Sequence, residues 1–161
     1  MKLYYDSYDC LIGRIYIVSD ELGARNIEIV EEKWQEFASK NDVQKSSSKC
    51  YDTLKQVDEY FLGKRRNFEL RLSIEGTEFR KRVWKELMNI PYGEVISYSQ
   101  LAEAIGNPKA VRAVGQANRA NPLPIIVPCH RVVGKDKSLV GYAGTRTDIK
   151  DKLLKLEGII L

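Results

Sequence analysis

Ser97-Tyr98-Ser99-Gln100-Leu101-Ala102-Glu103-Ala104-Ile105-Gly106-Asn107-Pro108-Lys109-Ala110-Val111-Arg112-Ala113-Val114-Gly115-Gln116-Ala117-Asn118-Arg119 decides how the second half of the chain folds. Ser97 and Gln100 have capping-box spacing, and Leu101, Ala102 and Ile105 supply an apolar face. Gly106-Asn107-Pro108 reads as a helix stop, an N-cap and a proline at the first helical position. A second helix is predicted from about Pro108 to Arg119. Ala110, Val111, Val114 and Ala117 fall on one side of it, and Lys109, Arg112, Gln116 and Arg119 on the other. Two helices joined by a short Gly turn, the second basic and outward-facing, form a helix-turn-helix suited to nucleic acid. An ordinary amphipathic hairpin is the alternative reading.

Just downstream, Pro122-Leu123-Pro124-Ile125-Ile126-Val127-Pro128-Cys129-His130-Arg131-Val132-Val133-Gly134 holds three of the five prolines and the only histidine. Ahead of Cys129 it is apolar and uncharged, which predicts a buried, stiffened segment. A thiol at the end of such a segment is held in place. Reactive thiols need an electropositive, partly exposed setting, because the thiolate is the nucleophile. His130 and Arg131 follow at once. On an extended chain neighbouring side chains diverge. Cys129 and His130 can therefore cooperate only if the chain bends or water bridges them. A structural Cys beside a core His is the alternative.

Charge is unevenly spread. Residues 1–78 carry 12 basic and 15 acidic side chains, residues 79–161 carry 14 and 7, so a polyanion partner is expected for the second half only. A solvated basic face would leave the same imbalance. The chain is 43% hydrophobic and 30% charged, a balance that excludes disorder. Cys10, Cys50 and Cys129 lie far apart in no metal-ligand spacing, and a single His argues against zinc. No apolar run reaches transmembrane length, Met1 to Asp6 lack a signal-peptide core, and a reducing compartment is expected.

Met1 to Tyr5, Leu11 to Val18 and Arg25 to Val30 read as strands of a small antiparallel meander, with Ile15 and Ile17 alternating against Arg14 and Tyr16. Glu31 to Ser48 is ambiguous: Trp34 and Phe37 suggest a helical turn, and a Ser/Lys-rich loop follows. Cys50, Leu54, Val57 and Phe61 have helical spacing, with Gly63 as the stop. Phe68 to Ile74 reads as an extended linker. Thr77 is a plausible N-cap for a helix over Phe79 to Asn89, with Phe79, Val83, Leu87, Trp84 and Met88 toward the core. Leu139 to Thr145 is a Gly-rich loop without a phosphate-loop ending, and no G-x-G-x-x-G occurs, so no cofactor is implied. A last helix runs from Asp148 to Leu156. Glu157 closes it, where the dipole disfavours a carboxylate unless a cation or a histidine partners it.

Taken together, Pro128-Cys129-His130-Arg131-Val132, Asn121-Pro122, Tyr92-Gly93-Glu94-Val95-Ile96-Ser97-Tyr98, Gly106-Asn107-Pro108-Lys109-Ala110-Val111-Arg112-Ala113-Val114-Gly115 and Glu157-Gly158 resemble the O6-alkylguanine-DNA alkyltransferases, the methylated-DNA–protein-cysteine methyltransferases. The likeness covers roughly Gly76 to Gly158. The first 75 residues agree in outline only. The resemblance implies an α/β (α+β) protein: a β-rich domain over residues 1–75, ribonuclease H-like in the family, and a helical DNA-binding, alkyl-accepting domain over 76–161.

The resemblance also implies roles. The cysteine matching Cys129 accepts the alkyl group from O6-alkylguanine, and more weakly from O4-alkylthymine, once and irreversibly. Residues matching His130 and Glu157 take its proton through a water. The match to Asn121 supports the turn ahead of the site. The match to Arg112 enters the base stack, and the match to Tyr98 assists nucleotide rotation and the leaving guanine. Ser99, Asn107 and Lys135 match DNA contacts, and Lys109, Gln116 and Arg119 extend that face. Lys150 matches a lysine close to the site, and Val132, Tyr142, Ala143 and Gly144 match the lesion pocket.

O6 of guanine faces its pairing partner, so the base must leave the duplex, at a cost of a few kcal/mol. A free thiol titrates near ~8.5, so a modest push from His130 and Glu157 is expected to suffice. Ala143 stands where several relatives have serine. The implied partner is double-stranded DNA carrying O6-alkylguanine; no metal, cofactor or membrane is expected, and the protein should act as a cytoplasmic monomer. The rival within the likeness is an alkyltransferase-like protein that holds the lesion without transfer, but such relatives lack the cysteine. A helix-turn-helix regulator would leave Cys129 and His130 unexplained, and a cysteine hydrolase would need a separate His.

Overall fold

The computed structural model describes residues 1–139 and 146–161. Its chain divides into two compact units, Met1–Ile74 and Glu75–Leu161. The architecture is α+β: among the described residues, a sheet and two helices in the first unit and four α-helices with a small strand pair in the second.

In the first unit, β1 (Leu3–Cys10), β2 (Gly13–Asp20) and β3 (Gly23–Glu28) form the expected antiparallel meander. A fourth strand, β4 (Val43–Lys45), pairs parallel with β1, giving the order β3-β2-β1-β4. It lies in the stretch read as a loop, where three polar-flanked residues carry no periodic signal. Tyr16, expected on the outer face, is buried, because Trp34 of α1 (Glu31–Lys40) stacks on it at 4.4 Å. The central strand is covered on both faces, which erases the alternation.

Helix α2 (Tyr51–Phe61) ends at Gly63 in the left-handed region, and Cys50 sits at its N-cap, buried, with its thiol on the Ile17 carbonyl. Burial pushes that thiol up to about 11, which marks Cys50 as inert. The supposed linker is instead bonded to the outer edge of β3: Ala24 N–H donates to Arg71 O and Ser73 N–H to Ala24 O. It thereby blunts an open sheet edge.

The second unit begins with α3 (Glu78–Leu87), whose N-cap Thr77 accepts from Arg80 N–H at 3.2 Å. Val83, Trp84 and Leu87 are buried, while Met88 is exposed because the helix ends before it. Helix α4 (Tyr98–Ala104) carries the full capping box between Ser97 and Gln100. It closes on Gly106, with Gly106 N–H on Glu103 O and Asn107 N–H on Ala102 O, the paired bonds of a Schellman stop.

Helix α5 (Val111–Arg119) starts three residues later than predicted, because Asn107 to Ala110 form a separate turn closed by Ala110 N–H on Asn107 O. Pro108 thus shapes that turn rather than opening the helix. Trp84 Nε1–H donates to Ala117 O at 2.8 Å, joining α3 to α5. Strands β5 (Ile96–Ser97) and β6 (Val132–Val133) pair in parallel, and α6 (Thr147–Leu156) completes the unit. Among the described residues no helix is long and apolar enough to cross a membrane.

Candidate active site

The segment before Cys129 is buried as predicted, but it is folded rather than straight. Val127 N–H reaches back to Leu123 O at 2.9 Å, and Ile125 adopts φ 79 between them. A β-branched residue in the left-handed region costs roughly 1–3 kcal/mol. Asn121 pins the loop from both sides: its Nδ2 donates to Val127 O at 2.8 Å and its Oδ1 accepts from Leu123 N–H at 3.0 Å. Pro128 then leads into a single 3-10 turn, Cys129–Arg131. That turn supplies the bend which an extended chain lacks.

Cys129 is 4% exposed and His130 fully buried. His130 Nε2 lies 2.7 Å from Glu157 Oε2. An ionised carboxylate only accepts, so Nε2 carries the proton. His130 Nδ1 has no hydrogen-bond partner among the described residues. It is therefore a buried lone pair within the turn that carries the thiol. Burial lowers the imidazole's affinity for a proton, Glu157 raises it, and Arg131 and Lys150 lower it further; the net direction is down. The imidazole is neutral at neutral pH.

Glu157, at the C-cap of α6, also takes two bonds from Arg131: Nε at 2.9 Å on Oε1 and Nη2 at 3.1 Å on Oε2. Gly93 N–H adds a fourth donor at 3.1 Å. This cluster was only half legible. A cation or histidine was foreseen for Glu157; both are present, and the cation is Arg131.

Lys150 reaches the site from α6. It is fully buried, donates to Val132 O, and places its Nζ 5.8 Å from the centre of the Tyr98 ring. Burial holds its ammonium down to about 8, with the Cys129 charge acting against that. Burial pushes the Cys129 thiol up to about 11, against the pull of the Asn121 side chain and Lys150. This corrects the expectation of a modest push. Forming the thiolate at neutral pH takes roughly 5 kcal/mol here, against roughly 2 kcal/mol for a free thiol.

The pairing of Ile96 with Val132 and Ser97 with Val133 brings Tyr98, the first residue of α4, to the cysteine turn. Burial, then the Cys129 charge, push the Tyr98 phenol up to about 12, while Asn118 and Arg119 hold it down. Tyr98 thus keeps its proton and can donate it. Asn118 of α5 was not foreseen. It is 1% exposed, and its Nδ2 donates to the Cys129 carbonyl at 3.3 Å. Its position three residues before Asn121, on the apolar side of a basic helix, was the available signal.

Cys129, His130, Glu157, Asn121, Tyr98 and Lys150 therefore gather in one place. Lys109, Arg112, Gln116 and Arg119 lie exposed on and just before α5, with Asn107 exposed on the preceding turn and Ser99 half-buried in α4. Lys135 is exposed in the turn after β6. Val132 is buried beside Lys150. Tyr142, Ala143 and Gly144 lie outside the described residues.

Two family models cover the chain. One, described as 6-O-methylguanine DNA methyltransferase, ribonuclease-like domain, matches residues 3–74. The other, 6-O-methylguanine DNA methyltransferase, DNA binding domain, matches residues 78–159. The chain belongs to the 6-O-methylguanine DNA methyltransferase family.

Among relatives of this methyltransferase family, the constitutive methylated-DNA–protein-cysteine methyltransferase of Bacillus subtilis is 44% identical over 158 residues, covering 97% of this chain and 96% of its own. The methylated-DNA–protein-cysteine methyltransferase of Methanosarcina barkeri is 43% identical over 155 residues, covering 96% and 97%. The crystal structure of Mycobacterium tuberculosis O6-methylguanine methyltransferase superposes with a TM-score of 0.88 at 37% identity, covering 96% of this chain and 92% of its own. The Mycobacterium tuberculosis protein in complex with DNA gives 0.86 at 38% identity, with the same coverage.

Proposed function

We propose that this protein repairs DNA by direct reversal, moving the alkyl group of O6-alkylguanine in double-stranded DNA onto Cys129. The observation that carries the reading is the buried Nδ1 of His130, without a hydrogen-bond partner among the described residues, on a ring held at Nε2 by Glu157 in the turn that bears the thiol. Membership of the methyltransferase family and the DNA complex of the Mycobacterium tuberculosis relative support the same reaction.

The exposed face of α5 binds the duplex. Lys109 and Arg119 neutralise phosphates, while Ser99, Asn107, Gln116 and Lys135 position the backbone without reading sequence, which suits repair at any site. Arg112 fills the gap left by the turned-out base. In the site, the thiol proton passes to His130 Nδ1, directly or through a solvent molecule. The sulfur lone pair then attacks the alkyl carbon, an S–C bond forms, and the C–O6 bond breaks with its electrons going to the guanine. Tyr98, whose phenol keeps its proton, stabilises that charge by donation, and the proton taken from sulfur is returned to the guanine. Lys150 stabilises the thiolate by its charge.

The product is a thioether, a poor leaving group, so each molecule acts once. One acceptor per chain needs no second subunit, which supports a monomer. Three free thiols suit a reducing compartment such as the cytoplasm. In this division of labour residues 76–161 bind and react, with Val132 beside the lesion pocket.

The test separates binding from transfer. Cys129→Ala should bind O6-methylguanine duplex with unchanged affinity and transfer nothing; residual transfer by that variant removes Cys129 as the acceptor.

A further inference from the structure

Glu157 is a carboxylate in an unfavourable place. It sits at the C-terminal end of α6, where the helix dipole is negative, and its side chain is fully buried. An isolated buried carboxylate at such a position would take up a proton. A protonated Glu157 could turn its O–H toward His130 Nε2. The imidazole would then hold its proton on Nδ1, and its lone pair, on Nε2, would be taken up by Glu157.

Arg131 prevents this. Its planar fork meets both carboxylate oxygens, at 2.9 and 3.1 Å, and its Nη1 donates to Ile90 O at 2.7 Å. The Tyr92 ring lies 5.7 Å from the guanidinium carbon, and Tyr92 OH is tied to Leu156 O at 3.4 Å. The arginine is therefore braced by α3's end, by the segment before β5 and by α6. With Gly93 N–H and His130 Nε2–H, the carboxylate receives at least four donors among the described residues.

We propose that Arg131 is a positioning residue of alkyl transfer: its bidentate hold keeps Glu157 anionic, and the anion fixes His130 as the neutral tautomer with Nδ1 as the acceptor. The inference rests on reading His130 as the base for Cys129. Its physical content is a charge count. The charges that act on the imidazole are Glu157 and Lys150 from α6 and Arg131 from its own turn, which also carries the Cys129 thiol, while α5 sets the uncharged Asn118 on the Cys129 carbonyl. With a neutral imidazole and thiol, the cluster carries two cations and one anion. A charged imidazole would add a third buried cation. Removing Arg131 takes away one of the two cations that hold down the imidazole's affinity for a proton and the two bonds that hold Glu157, so an imidazolium beside Glu157 becomes easier to form and the base is spent at a higher pH than in wild type. Arg131→Lys keeps the charge and loses the fork.

The lone histidine makes the test direct, because every imidazole NMR signal belongs to His130. Nitrogen shifts of the full-length protein, followed against pH, give both tautomer and protonation midpoint. Wild type should show the Nε2–H form throughout the neutral range. Arg131→Met should raise the midpoint by about one pH unit or more, and Arg131→Lys, with the charge but not the fork, should raise it by less. In parallel, the single-turnover rate with free O6-benzylguanine should lose its neutral-pH activity in Arg131→Met and recover as pH rises. A wild-type imidazole that is Nδ1–H or cationic at neutral pH overturns the proposal, and needs no variant to fold. So does an Arg131→Met midpoint equal to wild type. If the imidazole behaves as stated and wild type transfers no alkyl group, the positioning holds and the acceptor reading falls.

Discussion

Asn118 joins the outward basic helix to the acceptor: its side-chain amide donates to the main-chain carbonyl of Cys129 at 3.3 Å. The residue is buried on the face of α5 opposite Arg112 and Gln116. The helix proposed to lie on DNA is in this way tied to the turn that holds the sulfur.

Asn118→Leu keeps the volume and leaves that carbonyl with the Val132 N–H as its donor. It should cost roughly 0.5–1.5 kcal/mol of stability, read as a lower urea midpoint. The turn should also loosen, so transfer from free O6-benzylguanine should slow. An unchanged midpoint together with an unchanged rate would show that the bond contributes nothing.

Glu157→Ala should be the most damaging single change in the site. It strands the Arg131 guanidinium, the His130 Nε2–H and the Gly93 N–H in a buried space. Breaking a buried pair by removing one partner costs roughly 3–5 kcal/mol. Denaturant unfolding of the variant should lie that far below wild type, and Glu157→Gln, which keeps the shape, should fall in between. Equal stability of the three proteins would mean that the cluster is not what holds the end of α6.

Lys150 and Cys129 should give the alkaline stability curve two opposed limbs. Burial holds Lys150 down to about 8, below the ~10.4 of a free lysine. Between those values the unfolded chain binds more protons, so stability rises with pH. Burial pushes Cys129 up to about 11, above the ~8.5 of a free thiol. Its contribution is complete below the unfolded value and is lost as pH rises through the folded one. Urea titrations from about pH 7 to about pH 10.5 should show the rising limb vanish in Lys150→Met. The falling limb should shrink in Cys129→Ala, each change being about 2–3 kcal/mol. Cys50, raised in the same way, leaves part of the falling limb in place. A Lys150→Met curve parallel to wild type would place that ammonium in water.

The two helices around Gly106 were legible because each of their signals is local. Ser97 and Gln100 are three residues apart, and Gly106 is the one residue suited to its left-handed turn. The start of α5 was misplaced because Pro108 fits a turn as well as a first helical position. The β5–β6 pair could not be read, since two strands of two residues 36 positions apart carry no period. The clamp of Arg131 on Glu157 spans 26 positions for the same reason. The high cost of the Cys129 thiolate was hidden as well. Composition shows that the segment is apolar, but burial of the sulfur itself comes from how the loop around Ile125 folds back.

Arg112→Ala should separate the duplex from the free base. Arg112 is exposed on α5. Its loss should slow repair of O6-methylguanine in duplex DNA by about tenfold or more, the worth of a few kcal/mol of base extrusion. Reaction with free O6-benzylguanine should stay within about twofold. Equal losses on both substrates would contradict its place in the base stack.

The central claim is that one sulfur takes one alkyl group and keeps it. Intact-mass measurement after incubation with excess O6-methylguanine duplex, followed by peptide mapping, tests it most directly. The account predicts a mass gain of a single methyl, located on the peptide carrying Cys129, with Cys10 and Cys50 untouched and unmodified guanine restored in the DNA in equal amount. Repaired DNA in molar excess over an unchanged protein mass, or a methyl group found on Cys10 or Cys50, would contradict it.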